Sequence, residues 1–206
     1  MNFLGGAGLL SESMDESGFD REKVSKVILT HAHPDHVWGI IDDFEEAERF
    51  PNAQYFMSAR EWDFWMAEDV LTKLPEELHG FAVGAQRNMK PVAEKLTRID
   101  NGASISPGVS MVSTPGHTPG HMSVMLESGG QKLLVLGDAI THAQVSFAHP
   151  DWALANNQDL DLAAKTRAKL LDMSATDEVP VTGYHLPWPG VGRVEKNGLA
   201  YSYNAS

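Results

Sequence analysis

His31-Ala32-His33-Pro34-Asp35-His36 places three imidazoles and one carboxylate within six residues. Imidazole nitrogen and carboxylate oxygen are the donors that suit Zn²⁺ and its first-row neighbours. The plain alternative is a surface loop that happens to be rich in histidine, and the residues before the run argue against it. Val24-Ser25-Lys26-Val27-Ile28-Leu29-Thr30 is β-branched and apolar, is bounded by charge, and reads as a buried strand. A strand that runs into a donor-rich loop gives the ligands a rigid support, which is where α/β folds hold their chemistry.

One loop cannot close a metal site, so further donors are sought among the other histidines. Pro115-Gly116-His117-Thr118-Pro119-Gly120-His121 follows an apolar strand over 109–112, and its Pro and Gly residues force a sharp turn that holds His117 at a strand end. Lys132-Leu133-Leu134-Val135-Leu136 reads as another buried strand and ends in Gly137-Asp138. There the glycine lets backbone approach closely and the carboxylate projects from the sheet edge. Val179-Pro180-Val181-Thr182-Gly183-Tyr184-His185 repeats the pattern of short strand, glycine and ligand. The other histidines read differently. His121 is expected as a hydrogen-bond partner or structural residue behind the turn, and His142 as either pocket lining or a plain loop residue. His79 and His149 are expected to be solvated.

The order His-x-His-x-Asp-His, Pro-Gly-His-Thr-Pro-Gly-His, Gly-Asp and a late His resembles the metallo-β-lactamase superfamily of dinuclear metallohydrolases, from about Val24 to the C-terminus. Phe50-Pro51-Asn52-Ala53, Asp63-Phe64-Trp65, His185-Leu186-Pro187 and Pro189-Gly190 look like its methyl-parathion-hydrolase-like branch, which neighbours the lactonases. The resemblance implies an α/β layered fold, an αββα sandwich with metals along one edge. It implies two divalent ions per chain, zinc first, with manganese, iron or cobalt as alternatives. His31, His33 and His117 would hold the first ion, Asp35, His36 and His185 the second, and Asp138 would bridge both. Five neutral imidazoles and two carboxylates partly offset two dications and leave positions for water and substrate.

Composition bounds the partners. With 206 residues and 42% hydrophobic content, residues 1–206 are expected to form a single hydrolase domain. Acidic residues outnumber basic ones 28 to 16, for a net charge of −12, and no basic cluster offers a surface for nucleic acid. That disfavours the nucleases that share the motif. There is no cysteine, so the site uses no thiolate, unlike the lactamases that place one on the second metal. No apolar run approaches the roughly 18 residues of a membrane span. Neither is a basic-then-apolar leader visible, so a cytoplasmic protein with no membrane partner is expected.

Residues 8–18 read as a helix stopped by Gly18, 37–44 as the start of another, and 54–57 as a strand leading into a Ser58-capped helix over 59–68. Residues 69–95 read as mostly helix. Strands are expected over 109–113, 123–127 and 131–136, the last two joined at Ser128-Gly129-Gly130. Asp159 should cap a helix to about Leu171, and a terminal hairpin should pair 193–195 with 199–203 around Lys196-Asn197-Gly198.

Two metals about 3.5–4 Å apart clamp a displacement and lower the pKa of bound water. The implied reaction is attack by a metal-bridging hydroxide on a carbonyl or phosphoryl centre, with Asp35 passing a proton to the leaving group and Asp138 as the shared catalytic ligand. Trp38 and Trp188 adjoin ligands and head the substrate-binding candidates, followed by Trp65, Phe81 and His142. An aromatic, uncharged pocket over two cations suits small lactones and aryl esters, with organophosphate triesters or β-lactams as side activities. A glyoxalase-II-type thioesterase is one alternative, but that branch carries a C-terminal glutathione-binding segment for which residues 186–206 leave little room. A non-hydrolytic di-iron redox protein is another, and that branch usually has Glu where His33 stands.

The resemblance also implies strands and an Asp-x-Gly turn ahead of the ligand loop. Residues 1–23 offer a Gly-rich start, Leu4-Gly5-Gly6-Ala7-Gly8, and one helix instead. The chain therefore looks shortened, lacking its first strands. A sandwich with an open sheet edge is association-prone, so either a homodimer is expected or a first sheet whose inner face is partly open, widening the metal cleft.

Overall fold

In chain order the first elements of the computed structural model are α1 (Leu10–Glu16), β1 (Lys26–Ile28), α2 (Pro34–Val37), β2 (Ile41–Asp42), β3 (Ala47–Glu48), β4 (Gln54–Ser58), α3 (Ala59–Trp65), α4 (His79–Met89) and β5 (Leu96–Ile99). Then come β6 (Ser104–Ser106), β7 (Val109–Ser113), β8 (Met122–Ser128), β9 (Gln131–Val135), α5 (Val145–Ala148), α6 (Leu160–Thr176), β10 (Val181–Thr182), β11 (Val191–Asn197) and β12 (Ala200–Ala205). The structure describes residues 9–42 and 46–206. They group into two units, one built from described residues up to 57 and from 65–97, the other from 58–64 and 98–206.

In the first unit β1 and β4 run parallel, with Lys26, Val27 and Ile28 opposite Gln54, Tyr55 and Phe56, and β5 lies on the far side of β4. The expected buried strand is thus a three-residue strand at the margin of the described sheet, with Lys26 exposed and Val27 and Ile28 half-buried. At the margin of the described sheet a strand has one neighbour, so its side chains are less enclosed than those of a central strand. The interior lies one strand further in. Tyr55 and Met57 alternate inward from β4, and Ala82, Ala85 and Met89 form the buried stripe of α4. Helix α1 ends as its sequence indicates: Gly18 takes φ +73° and Phe19 N–H donates back to the Met14 carbonyl.

Two expectations in this unit are corrected. No helix begins at Val37. Helix α2 starts three residues earlier because Pro34, with its pre-set φ, occupies the first helical position, and β2 then pairs with β3, Ile41 opposite Glu48. Phe44 and the Leu4–Gly8 run lie outside the described residues. The stretch 69–95 holds one real helix, α4, flanked by single tight turns at Val70–Thr72, Glu76–Leu78 and Ala93–Lys95. Pro75 and Pro91 interrupt the pattern, since proline brings no backbone N–H to a helical ladder.

Tyr55 yields a pH prediction. Burial first, then the nearby Glu48 charge, pushes its phenol up to about 12 from an ordinary 10.0. The folded chain therefore holds this proton longer than the unfolded one. The associated stability is fully present below about pH 10 and is lost as pH rises towards 12. Chemical denaturation at stepped alkaline pH should show this decline, and Tyr55→Phe should flatten it. An identical alkaline decline in the variant would refute the assignment.

The second unit is built on a seven-stranded sheet, ordered β12-β11-β10-β9-β8-β7-β6. Only β9 and β10 are parallel within it, Leu134 opposite Val181 and Val135 opposite Thr182. The core gathers Leu134, Leu136, Phe147, Leu170, Leu171 and Val181. Helix α6 is capped by Asp159, whose Oδ1 accepts from Leu162 N–H at 3.0 Å, and it continues five residues past the expected Leu171. Its buried face, Ala163, Arg167, Leu170, Leu171 and Ser174, follows helical spacing to the end. In the terminal hairpin Asn197 is still paired, to Ala200, so the loop is Gly198-Leu199 and not Asn197-Gly198. Glycine at the first loop position with φ +68° suits a type II′ turn. Among the described residues no helix is long and apolar enough to cross a membrane.

Candidate metal centre

In the first unit the donor-rich run is a strand end followed at once by a helical turn. His33 is the extended cap residue of α2 (φ −71°, ψ 159°), Pro34 opens the helix, and Asp35 and His36 sit in its first turn. This folding of the chain crowds the imidazoles. The His31 ring lies 4.8 Å from His33, edge-on, and 4.1 Å from His36, tilted. His31 Nδ1 is 3.0 Å from Thr30 Oγ1, and Asp35 Oδ2 is 3.3 Å from His36 Nε2. His31 and His33 are buried, whereas Asp35 and His36 are nearer solvent.

In the second unit strand register does the gathering. Asp138 lies three residues beyond Val135 and His185 three beyond Thr182, and those two strand residues are paired in a parallel ladder. Antiparallel β8 sets Val124 opposite Val135, and β7 sets Ser113 opposite Met122, so the 114–121 loop reaches the same sheet edge. His117 Nε2 is 3.4 Å and His185 Nε2 3.2 Å from Asp138 Oδ2. On the other side of the His117 ring, Nδ1 is 3.1 Å from Asn157 Oδ1, an acceptor, so Nδ1 carries the proton and Nε2 the lone pair. His121 is fully buried and accepts the Asp138 backbone N–H at Nε2, 2.9 Å away.

The loop carrying His117 is held from beneath by Glu61, which sequence reasoning overlooked. Its buried carboxylate accepts from Thr118 Oγ1 and Gly120 N–H, both at 2.8 Å. A Cβ on Gly120 would come within 2.1 Å of Glu61 N, so this close approach requires glycine. Ser58-x-x-Glu61 matches a capping box, whose glutamate would turn back to its own helix. Only half of that motif forms, Glu61 N–H to Ser58 Oγ at 3.4 Å, and the carboxylate goes to the turn instead.

The substrate candidates fall in different surroundings. Trp65 is fully buried, its ring edge-on to His33 at 5.6 Å, so it backs that imidazole and the expectation of a substrate-facing ring is corrected. Helix packing turned it inward, and Gln86 Nε2 donates to its carbonyl. Phe81, half-buried, meets the same His33 ring at 5.6 Å. The Trp38 indole lies directly over Gly84 of α4, where a Cβ would approach it to 2.4 Å. Trp188 is 93% exposed. His142 and His185 line a cleft of about 440 Å³ with Val145, Leu154, Ala155 and Asn156. His142 Nδ1 accepts from the N–H groups of Gln144 and Val145, which leaves Nε2–H as its donor. His79 bonds the Leu74 carbonyl, and His149, exposed, stacks on Trp152 at 3.8 Å.

Each unit thus presents imidazole and carboxylate donors, with one ring nitrogen of His31 and one of His117 engaged by a neighbouring side chain, the chemistry of a site for divalent first-row ions. The chain belongs to the metallo-beta-lactamase superfamily, whose model matches residues 5–176. It is similar to the probable metallo-hydrolase YflN of Bacillus subtilis (strain 168), 26% identical over 204 residues that cover 89% of this chain and 73% of YflN. It is also similar to YobT of the same strain, 31% identical over 136 residues, covering 63% of this chain and 54% of YobT; the chain thus spans only about half of that relative. Among solved structures, AidC, a dizinc quorum-quenching lactonase in complex with the product N-hexanoyl-L-homoserine, superposes with a TM-score of 0.89 and 32% identity. The match covers 97% of this chain and 70% of that one.

Proposed function

We propose that the chain is a dinuclear metal-dependent hydrolase of small lactones, with aryl esters as secondary substrates. The observation that carries this reading is the convergence of His117 and His185 Nε2 on one oxygen of buried Asp138. In the proposed ligand set His31, His33 and His117 hold one ion, Asp35, His36 and His185 the other, and Asp138 both. Bound there, the two ions would ionise a water near neutral pH and polarise the substrate carbonyl. The side chains have their own tasks. Asn157 keeps His117 in the ligating tautomer, and Asp35, more exposed than the histidines before it, takes the proton destined for the leaving oxygen. Val145, Leu154 and Ala155 give the cleft beside His185 apolar walls for an acyl substituent, and His142 Nε2–H offers a donor to its polar end. Similarity to a lactonase crystallised with an N-acyl homoserine product supports the choice of lactones.

The test is metal analysis combined with a panel of N-acyl lactones, aryl esters, thioesters and phosphotriesters. Lactones should be turned over fastest, with activity lost on chelation and restored by zinc. A metal-loaded chain that hydrolyses thioesters or phosphotriesters and leaves lactones intact would overturn the substrate reading. Within the same panel, Trp188→Ala should raise KM for aryl esters severalfold at unchanged metal content, because an exposed indole can hold a ring but cannot ligate. An unaltered KM removes Trp188 from the substrate surface.

A further inference from the structure

We infer that His121 is a positioning residue for Asp138, holding that carboxylate's backbone through a one-directional chain of hydrogen bonds. The inference rests on the dinuclear reading above. The chain runs through four buried groups. Asp138 N–H donates to His121 Nε2 at 2.9 Å. A neutral ring that accepts at Nε2 carries its proton on Nδ1, so Nδ1–H donates to Thr114 Oγ1, 2.8 Å away. Thr114 Oγ1 then donates to Ser123 Oγ at 3.1 Å, and Ser123 Oγ donates to the Leu136 carbonyl at 2.9 Å. Every donor has a single direction open to it, and His121 and Ser123 are fully buried with Thr114 nearly so.

The two ends of this chain bracket one residue. The Leu136 carbonyl and the Asp138 amide flank Gly137, which sits in the left-handed region at φ +54°. Glycine pays the largest backbone entropy when it is fixed, so this is the point where the strand end would otherwise pivot. His121 and Ser123 lie on either side of Met122, the first residue of β8, and thereby transfer the rigidity of the sheet to the residue after the glycine. Both ring nitrogens of His121 are used in doing so, which makes it a holder of Asp138 and not an eighth ligand.

Two near-isosteres separate its ring atoms. Gln at position 121 keeps an acceptor where Nε2 stands and loses the Nδ1 donor; Asn keeps the Nδ1-like donor and loses the acceptor. In zinc competition titrations with a chromophoric chelator, H121Q should take up two ions as the wild type does. H121N should bind at least one ion about 10–100-fold more weakly, the usual effect of removing a support behind a ligand. Amide exchange in the metal-free chain gives a second readout: the Asp138 N–H should stay protected in the wild type and H121Q and exchange at least tenfold faster in H121N. Thr114→Val, which removes the partner that fixes the tautomer and keeps the ring, should weaken binding in the same direction and serves if H121N does not fold. A folded H121N with wild-type affinity and Asp138 protection overturns the inference, as do equal losses in H121Q and H121N. A wild-type chain that takes up one ion while Asp138 protection still depends on position 121 overturns the dinuclear reading instead.

Discussion

Asp138→Ala protein should bind fewer than two zinc ions per chain and lose about 10³-fold or more in activity, the equivalent of about 4 kcal/mol of transition-state stabilisation. Asp138 is buried, and two imidazole nitrogens lie within 3.4 Å of the same carboxylate oxygen. In the proposed set it is also the one ligand common to both ions, so its loss removes a bond from each and leaves two dications facing one another without a shared anion. Stability should move in a telling way. The metal-free variant should unfold close to the metal-free wild type, because no cavity larger than a carboxylate is made. Added zinc should raise the wild-type Tm and raise that of the variant much less, since ligand stabilisation scales with affinity for the folded state. Asp138→Asn, which keeps the shape and removes the charge, should resemble Ala in metal content. Full activity in the Ala variant, or two ions bound with unchanged affinity, would falsify the shared-ligand assignment.

Glu61→Ala should cost about 3 kcal/mol of stability without touching a proposed ligand. The substitution leaves the Thr118 hydroxyl and the Gly120 amide facing the space vacated by a buried carboxylate. Hydrogen bonds to a charged acceptor are worth about 1.5–3 kcal/mol each, and stranding buried donors adds their desolvation penalty. Backbone packing at Gly120 is too close for the loop to settle inward, so it should loosen and carry His117 with it. Urea denaturation should show the lower midpoint, and zinc affinity should fall in parallel. Glu61→Gln, which keeps one carbonyl acceptor, should lose clearly less. Equal stability of Glu61→Ala and wild type would show that Glu61 does not support the turn.

Much of this was legible in the chain. Histidines and carboxylates that follow apolar, glycine-terminated runs announce donors at strand ends, because strand propensity, turn chemistry and ligand type are all local properties. The same holds for Gly18 as a helix stop, Asp159 as a cap and the Gly129-Gly130 turn. The corrections arose where a long-range partner overrides a local pattern. Trp65 follows a strand and a good helix cap, but its burial depends on what packs over α3. Glu61 sits in a capping-box pattern, but its carboxylate finds Thr118 and Gly120, 57 and 59 residues away.

The sequence by itself therefore determined the family, the donor types and the strand ends that carry them. Tertiary structure alone decided the pairing of β9 with β10, which puts Asp138 and His185 at equal distance beyond a matched rung. It also decided the direction of the hydrogen bonds that run from Asp138 through His121, Thr114 and Ser123 to Leu136. Ligand identity is written in single residues, whereas strand register and the tautomer of a buried ring are set by which distant backbone groups come to lie opposite, and only the closed fold brings those groups together.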